Sequence, residues 1–151
     1  MFLTFNSQEE RRKYGSSAFI EISFCDLSPK TTIKRRVNLK NIQYWKNDSL
    51  YVYLDDIQVF CQEYAHIFGP GADDNETGVF DAYGVNYYAP DLIDPLIKKI
   101  ENEKPVDYQI ITEWLSRAKS HNGFYILGNI FASFTITTGN TTNQDTIFIP
   151  Q

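Results

Sequence analysis

The run LYVYLDDIQVFCQEYAHIF, residues 50–68, changes its period in the middle. In Leu50 to Leu54, Tyr51 and Tyr53 alternate with aliphatic residues, the two-residue repeat of a short strand. From Ile57 onward the apolar positions Ile57, Phe60, Cys61, Tyr64, Ala65 and Phe68 follow the i, i+3, i+4, i+7 spacing of one helix face. Asp55 and Asp56 suit the N-terminal cap and the positive end of the helix dipole, and Gly69-Pro70 ends the helix. A strand that runs at once into an amphipathic helix points to a sheet with helices packed on it.

Upstream, Ser17 to Cys25 alternates, with Ala18, Ile20, Ile22 and Phe24 on one face of a strand. Ser28-Pro29 marks a turn, and Thr31 to Val37 reads as a second strand, so the two predict an N-terminal antiparallel hairpin. Downstream, residues 69–86 are polar and loop-like. Leu92, Ile93, Leu96, Ile97 and Ile100 predict a second helix, starting at Asp94-Pro95 and ending near Lys104-Pro105. Asp107 is placed to cap a third, with Ile110, Ile111, Trp114, Leu115 and Ala118 as its buried stripe, closed by Asn122-Gly123. Gly123 to Ile136 is aromatic and β-branched and predicts one or two strands near Gly128. Residues 137–146 contain no apolar side chain and predict a flexible polar loop, and Ile147 to Ile149 a final edge strand. The expected architecture is α+β in a single compact domain spanning 1–151: an N-terminal antiparallel hairpin, three central helices, and C-terminal strand or strands completing a sheet.

Length and composition agree. A chain of 151 residues is large enough to bury a core without disulfides or metal, and 42% hydrophobic with 22% charged residues is not the composition of a disordered chain. Cys25 and Cys61 lie among apolar neighbours and read as reduced core thiols. The charged stretch Glu9 to Lys13 is followed by no apolar run of signal-peptide length, and no window reaches the roughly 20 apolar residues of a membrane span, so a cytoplasmic protein without membrane contact is expected.

The net charge of −5 is unevenly distributed. Residues 1–46 hold nine Lys or Arg against four Asp or Glu, whereas residues 47–113 hold three against fourteen. The acids concentrate at Asp73, Asp74, Glu76 and Asp81, and again at Asp91 and Asp94, among Tyr83, Tyr87 and Tyr88. Such a segment fits a basic protein partner, since charge speeds encounter and tyrosines supply fixed contact area. The bland alternatives are a solvated loop, aspartates serving as caps, and tyrosines packing the loop against the following helix. The basic run Lys34-Arg35-Arg36, with Lys40 and Lys46, is explained as edge-strand protection against unwanted pairing, so nucleic acid is not expected as a partner.

Catalytic signatures are sparse. His66 and His121 are the only histidines, and neither has a base or ligand at motif spacing. Asp73-x-Asn75-x-Thr77-Gly78 opens like a calcium loop, but its twelfth position is Gly84 rather than a bidentate Glu. Neither phosphate-cradling nor dinucleotide glycine motifs occur. No catalytic residue, metal, cofactor or small-molecule substrate is therefore expected.

The string Tyr83-Gly84-Val85-Asn86-Tyr87-Tyr88-Ala89-Pro90-Asp91, with Glu113-Trp114-Leu115 and Asn122-Gly123-Phe124-Tyr125-Ile126-Leu127-Gly128, resembles small bacterial immunity proteins of contact-dependent growth inhibition and related polymorphic toxin systems. The resemblance covers roughly residues 83–128. It implies a non-enzymatic inhibitor that binds a cognate toxin C-terminal domain, often a nuclease. The candidate partner-binding set is Asp73, Asp74, Glu76, Asp81, Tyr83, Tyr87, Tyr88 and Asp91. Two alternatives stay open: a small enzyme, such as a hydrolase using His66 or His121, and a structural assembly module.

Overall fold

The computed structural model describes residues 1–15, 18–69 and 80–128. Its elements in chain order are β1 (Phe2–Leu3), α1 (Gln8–Tyr14), β2 (Phe19–Phe24), α2 (Ile33–Arg36), β3 (Leu50–Tyr53), α3 (Leu54–Phe68), β4 (Val85–Tyr88), α4 (Ile93–Glu103), α5 (Tyr108–Ala118) and β5 (Phe124–Leu127). The strands form one antiparallel sheet in the order β1-β3-β2-β5-β4, giving a single compact α+β domain.

β2 is the middle strand, and all six of its residues are buried. Its alternation therefore separates two cores instead of a core and solvent. Ile20, Ile22 and Phe24 join Val52, Tyr88, Phe124 and Ile126 under the three long helices, whose stripes supply Phe60, Tyr64, Leu96, Ile100, Ile111, Trp114 and Leu115. On the opposite face, Cys25, Tyr87, Tyr125 and Leu127 are covered by Ile42, Tyr44, Leu27 and Val37, and Phe19 and Tyr51 by Phe5. The long link between β2 and β3 thus forms a second layer.

That layer corrects the expected hairpin. Residues 31–37 are not a strand: Thr32 caps α2 by accepting a hydrogen bond from the Arg35 N–H at 3.3 Å. The true partner of β2 is β3, with Ile20 opposite Val52 and Ile22 opposite Leu50. In such a short run, a helix cap at Thr32 and a β-branched start look alike in the sequence.

The helices lie close to their expected positions. α3 enters directly from β3: its N-cap is Tyr53, with no side-chain cap, so Asp55 and Asp56 stand in the first turn and act on the dipole alone, and Gly69 ends the helix at φ 70°. α4 begins at Ile93 with Asp94 in its first turn, and α5 follows Asp107, whose φ of 57° is left-handed. Asp107 does not use its side chain as a cap; it pairs with the Met1 amine at 2.9 Å. Ile110, expected in the buried stripe, is 45% exposed. Gly123 is required where α5 turns into β5: its φ is +87°, and a Cβ there would collide with the Tyr88 carbonyl oxygen. The C-terminal polar loop and final edge strand expected from the sequence lie outside the described residues.

The two layers also separate charge. Residues 54–68 and 89–118, which carry the helices, contain nine carboxylates against four Lys or Arg, whereas residues 1–15 and 26–49 contain nine Lys or Arg against four carboxylates. The asymmetry along the chain is thus an asymmetry across the sheet. Among the described residues, no helix is long and apolar enough to cross a membrane.

Candidate functional site

The acidic, Tyr-rich segment is only partly a surface. Asp73, Asp74 and Glu76 lie outside the described residues. Asp81 and Tyr83 share a turn before β4: the Asp81 carboxylate accepts from the Tyr83 N–H at 2.9 Å, and the Asp81 N–H donates to the Asn86 side chain at 2.7 Å. Asn86 is buried and donates back to the Asp81 and Ile126 carbonyls, both at 2.9 Å. This closed set of bonds fixes the turn and holds out Tyr83, which is 58% exposed, the highest value among the exposed large apolar side chains described.

Tyr87 and Tyr88 are corrections to the expected contact set. Both are fully buried, on opposite faces of the sheet. The Tyr88 ring stacks on Phe124 at 4.8 Å, and its hydroxyl donates to the Gly69 carbonyl at 2.9 Å. The Tyr87 hydroxyl accepts from Arg36 at 2.9 Å and donates to the Asn122 carbonyl at 2.6 Å. Burial pushes the Tyr87 phenol above its ordinary value despite the nearby guanidinium. Anchors so enclosed cannot meet a partner without unfolding β4. Asp91 is exposed just after β4, so four extended residues, roughly 13 Å, separate it from the Tyr83 turn. Of the expected set, Asp81, Tyr83 and Asp91 remain outward-facing among the described residues.

The histidines differ from each other. His66 pairs with Glu103 at 2.7 Å, both half-exposed, linking α3 to α4 on open surface. His121 is better built: Nδ1 lies 2.7 Å from Asp26, whose other oxygen takes Lys46 at 2.7 Å, and the ring stacks flat on Phe24 at 4.1 Å. Phe24 stacks in turn on Trp114 at 4.1 Å. Burial alone would raise the Asp26 carboxyl, but the hydrogen bonds of Lys46 and His121 outweigh it and hold it below the usual carboxylate range. His121 lines an open groove of about 550 Å³ with Asp48, Ser116, Arg117, Lys119 and Ser120. Ser116 and Ser120 direct their hydroxyls to carbonyls of their own helix end, and Lys119 is paired with Asp94.

Two polar clusters under the second layer escape sequence reasoning. Glu21, at the centre of β2, is buried and accepts from the Trp45 N–H at 2.8 Å, the Lys46 N–H at 3.0 Å and Ser49 Oγ at 2.7 Å. Trp45 adopts φ 60°, which turns successive N–H groups toward the carboxylate. The Arg11 guanidinium covers the Trp45 ring at 3.9 Å. Desolvation pushes the Glu21 carboxyl up against the pull of these donors. Beside it, Arg36 also donates to the Pro29 carbonyl at 2.8 Å and receives Tyr125 Oη on its own carbonyl at 2.7 Å. The hydrogen-bond partners named for Glu21 and Arg36 come from the linking segment or the sheet, so these bonds tie layer to sheet. Glu21 sits between two isoleucines and reads as solvent-facing in the sequence; only the covering layer makes it internal.

Among the described residues, no three His, Cys, Asp or Glu side chains converge as a metal site. In comparisons with protein-family models, curated proteins and solved structures, nothing matches this chain.

Proposed function

We propose that the protein is an immunity-type inhibitor that binds and neutralises a cognate bacterial toxin domain in the cytoplasm, without catalysis. The carrying observation is Tyr83: an amphipathic ring, 58% exposed, on a turn locked by Asp81 and buried Asn86, in the acidic part of the chain. A tyrosine on a hydrogen-bonded turn loses little backbone entropy on binding and is a residue type favoured in interface hot spots. Asp55, Asp91 and Glu101 add exposed carboxylates with no ion-pair partner among the described residues, which suits a basic, nucleic-acid-cleaving partner. Purification of the protein with its binding partner from the native host tests this reading. A basic toxic protein whose toxicity is relieved by co-expression is expected, and Tyr83→Ala weakens the complex roughly 30-fold, about 2 kcal/mol, at unchanged Tm. An acidic or non-toxic partner, or full retention by Tyr83→Ala, rejects it.

A second reading, a small hydrolase, is favoured by one observation, the Asp26–His121 pair at 2.7 Å beside an open groove. Asp26 would fix the imidazole tautomer and leave Nε2 to activate water. Ester turnover abolished in His121→Ala would establish it over the inhibitor reading.

A further inference from the structure

The basic run Lys34 to Arg36 protects no edge strand, because residues 33–36 are helical and pair with no strand. Residues 27–47 contain six Lys or Arg and no Asp or Glu. Two of the six are engaged inward: Arg36 bonds Tyr87 and the Pro29 carbonyl, and Lys46 bonds Asp26. The other four, Lys30, Lys34, Arg35 and Lys40, are exposed and have no ion-pair partner among the described residues. Between them stand Ile33, 40% exposed, and Leu39, 51% exposed.

This segment is tied down by hydrogen bonds. Asn38 Oδ1 accepts from the Lys40 N–H at 2.9 Å, Asn41 Nδ2 donates to the Arg35 carbonyl at 2.9 Å, and the Tyr125 hydroxyl holds the Arg36 carbonyl from beneath. With Arg36 pointing into the sheet, the 100° step of a helix sends Lys34 outward and Arg35 to one flank, while Ile33 stands about 60° from Arg36 on the other side, half-exposed. Four cations without an ion-pair partner among the described residues thus lie close in sequence to two part-exposed aliphatic side chains, on the side of the sheet opposite the acidic helices.

We propose that this segment docks the protein peripherally on an anionic lipid surface, with the cations at headgroup phosphates and Ile33 and Leu39 inserted to the level of the acyl boundary. Clustered basic residues are drawn to anionic leaflets within a Debye length, and apolar side chains add binding by leaving water. A single-stranded nucleic acid fits less well: stacking needs exposed aromatic faces, and here Tyr44 and Tyr125 are buried while Trp45 is covered by Arg11. The proposal is independent of the inhibitor reading, which rests on the Tyr83 turn.

Co-sedimentation of the full chain with phosphatidylcholine vesicles, with and without 30 mol% phosphatidylglycerol, is the test. Binding only to anionic vesicles, falling steeply as salt is raised, is expected. The triple variant Lys34→Glu, Arg35→Glu, Lys40→Glu should lose at least tenfold in affinity, and Ile33→Ser with Leu39→Ser should lose affinity without removing the salt dependence. Tm confirms folding, and Lys34→Gln with Lys40→Gln gives the same reading should the charge reversal fail to fold. No binding, equal binding to neutral vesicles, undiminished binding by the variants, or tighter binding to an RNA oligonucleotide than to vesicles overturns it.

Discussion

Glu21 concentrates at one residue the chemistry that holds the second layer in place. Its carboxylate gathers the backbone N–H groups of Trp45 and Lys46 and the Ser49 hydroxyl, so a loop with left-handed Trp45 becomes a fixed lining. Glu21→Gln keeps the shape but turns an amide donor toward those donors, and is expected to lower unfolding free energy by about 1–3 kcal/mol in urea titrations. Its pH dependence follows from the raised carboxyl. Between the unfolded value of about 4.3 and the higher folded one, the folded state binds the extra proton. The wild type therefore loses stability as pH rises through the folded value, and the gap to Glu21→Gln narrows. An unchanging gap from pH 4 to 8 would contradict this assignment.

At the scale of elements, the end of β2 and the end of α5 are joined by Asp26, which binds Lys46 from the second layer and His121 from the helix side at once. Asp26→Asn should cost under about 1 kcal/mol, because the carboxylate is half-exposed. Its sign is opposite to that of Glu21. The folded carboxyl lies below its unfolded value, so its contribution is complete above about pH 4 and lost as pH falls through the folded value. Thermal melts of the two proteins should therefore converge in acid. The elements themselves differed in how legible they were. α3, α4 and α5 are written in apolar stripes with Gly or Asp at the ends, and Ile20, Ile22 and Phe24 in strict alternation. Lys34 to Arg36 carries no period, and its helix depends on Thr32 capping and on Arg36 reaching Tyr87, a partner 51 residues away. The candidate surface was legible to the same extent: Tyr83 falls in a stretch that reads as polar loop, whereas the burial of Tyr87 and Tyr88 follows from β4 pairing with β5 and from a layer covering the far face.

For the whole molecule, the central fact is a sheet with cores on both sides and opposite charge on the two coverings. A net −5 chain would be expected to pass a cation exchanger at neutral pH. This one carries Lys30, Lys34, Arg35 and Lys40 together on one covering, without an ion-pair partner among the described residues, so it should be retained at low salt by both cation- and anion-exchange resins, released from each at moderate ionic strength. Elution of the wild type in the cation-exchange void volume at low salt would show that the charge is not so separated. The same separation gives the molecule a permanent electric moment across its thickness. It should therefore reach any charged body already oriented, acidic helices toward a cationic one and Lys34 toward an anionic one, so that the first collision selects the face before any contact is made.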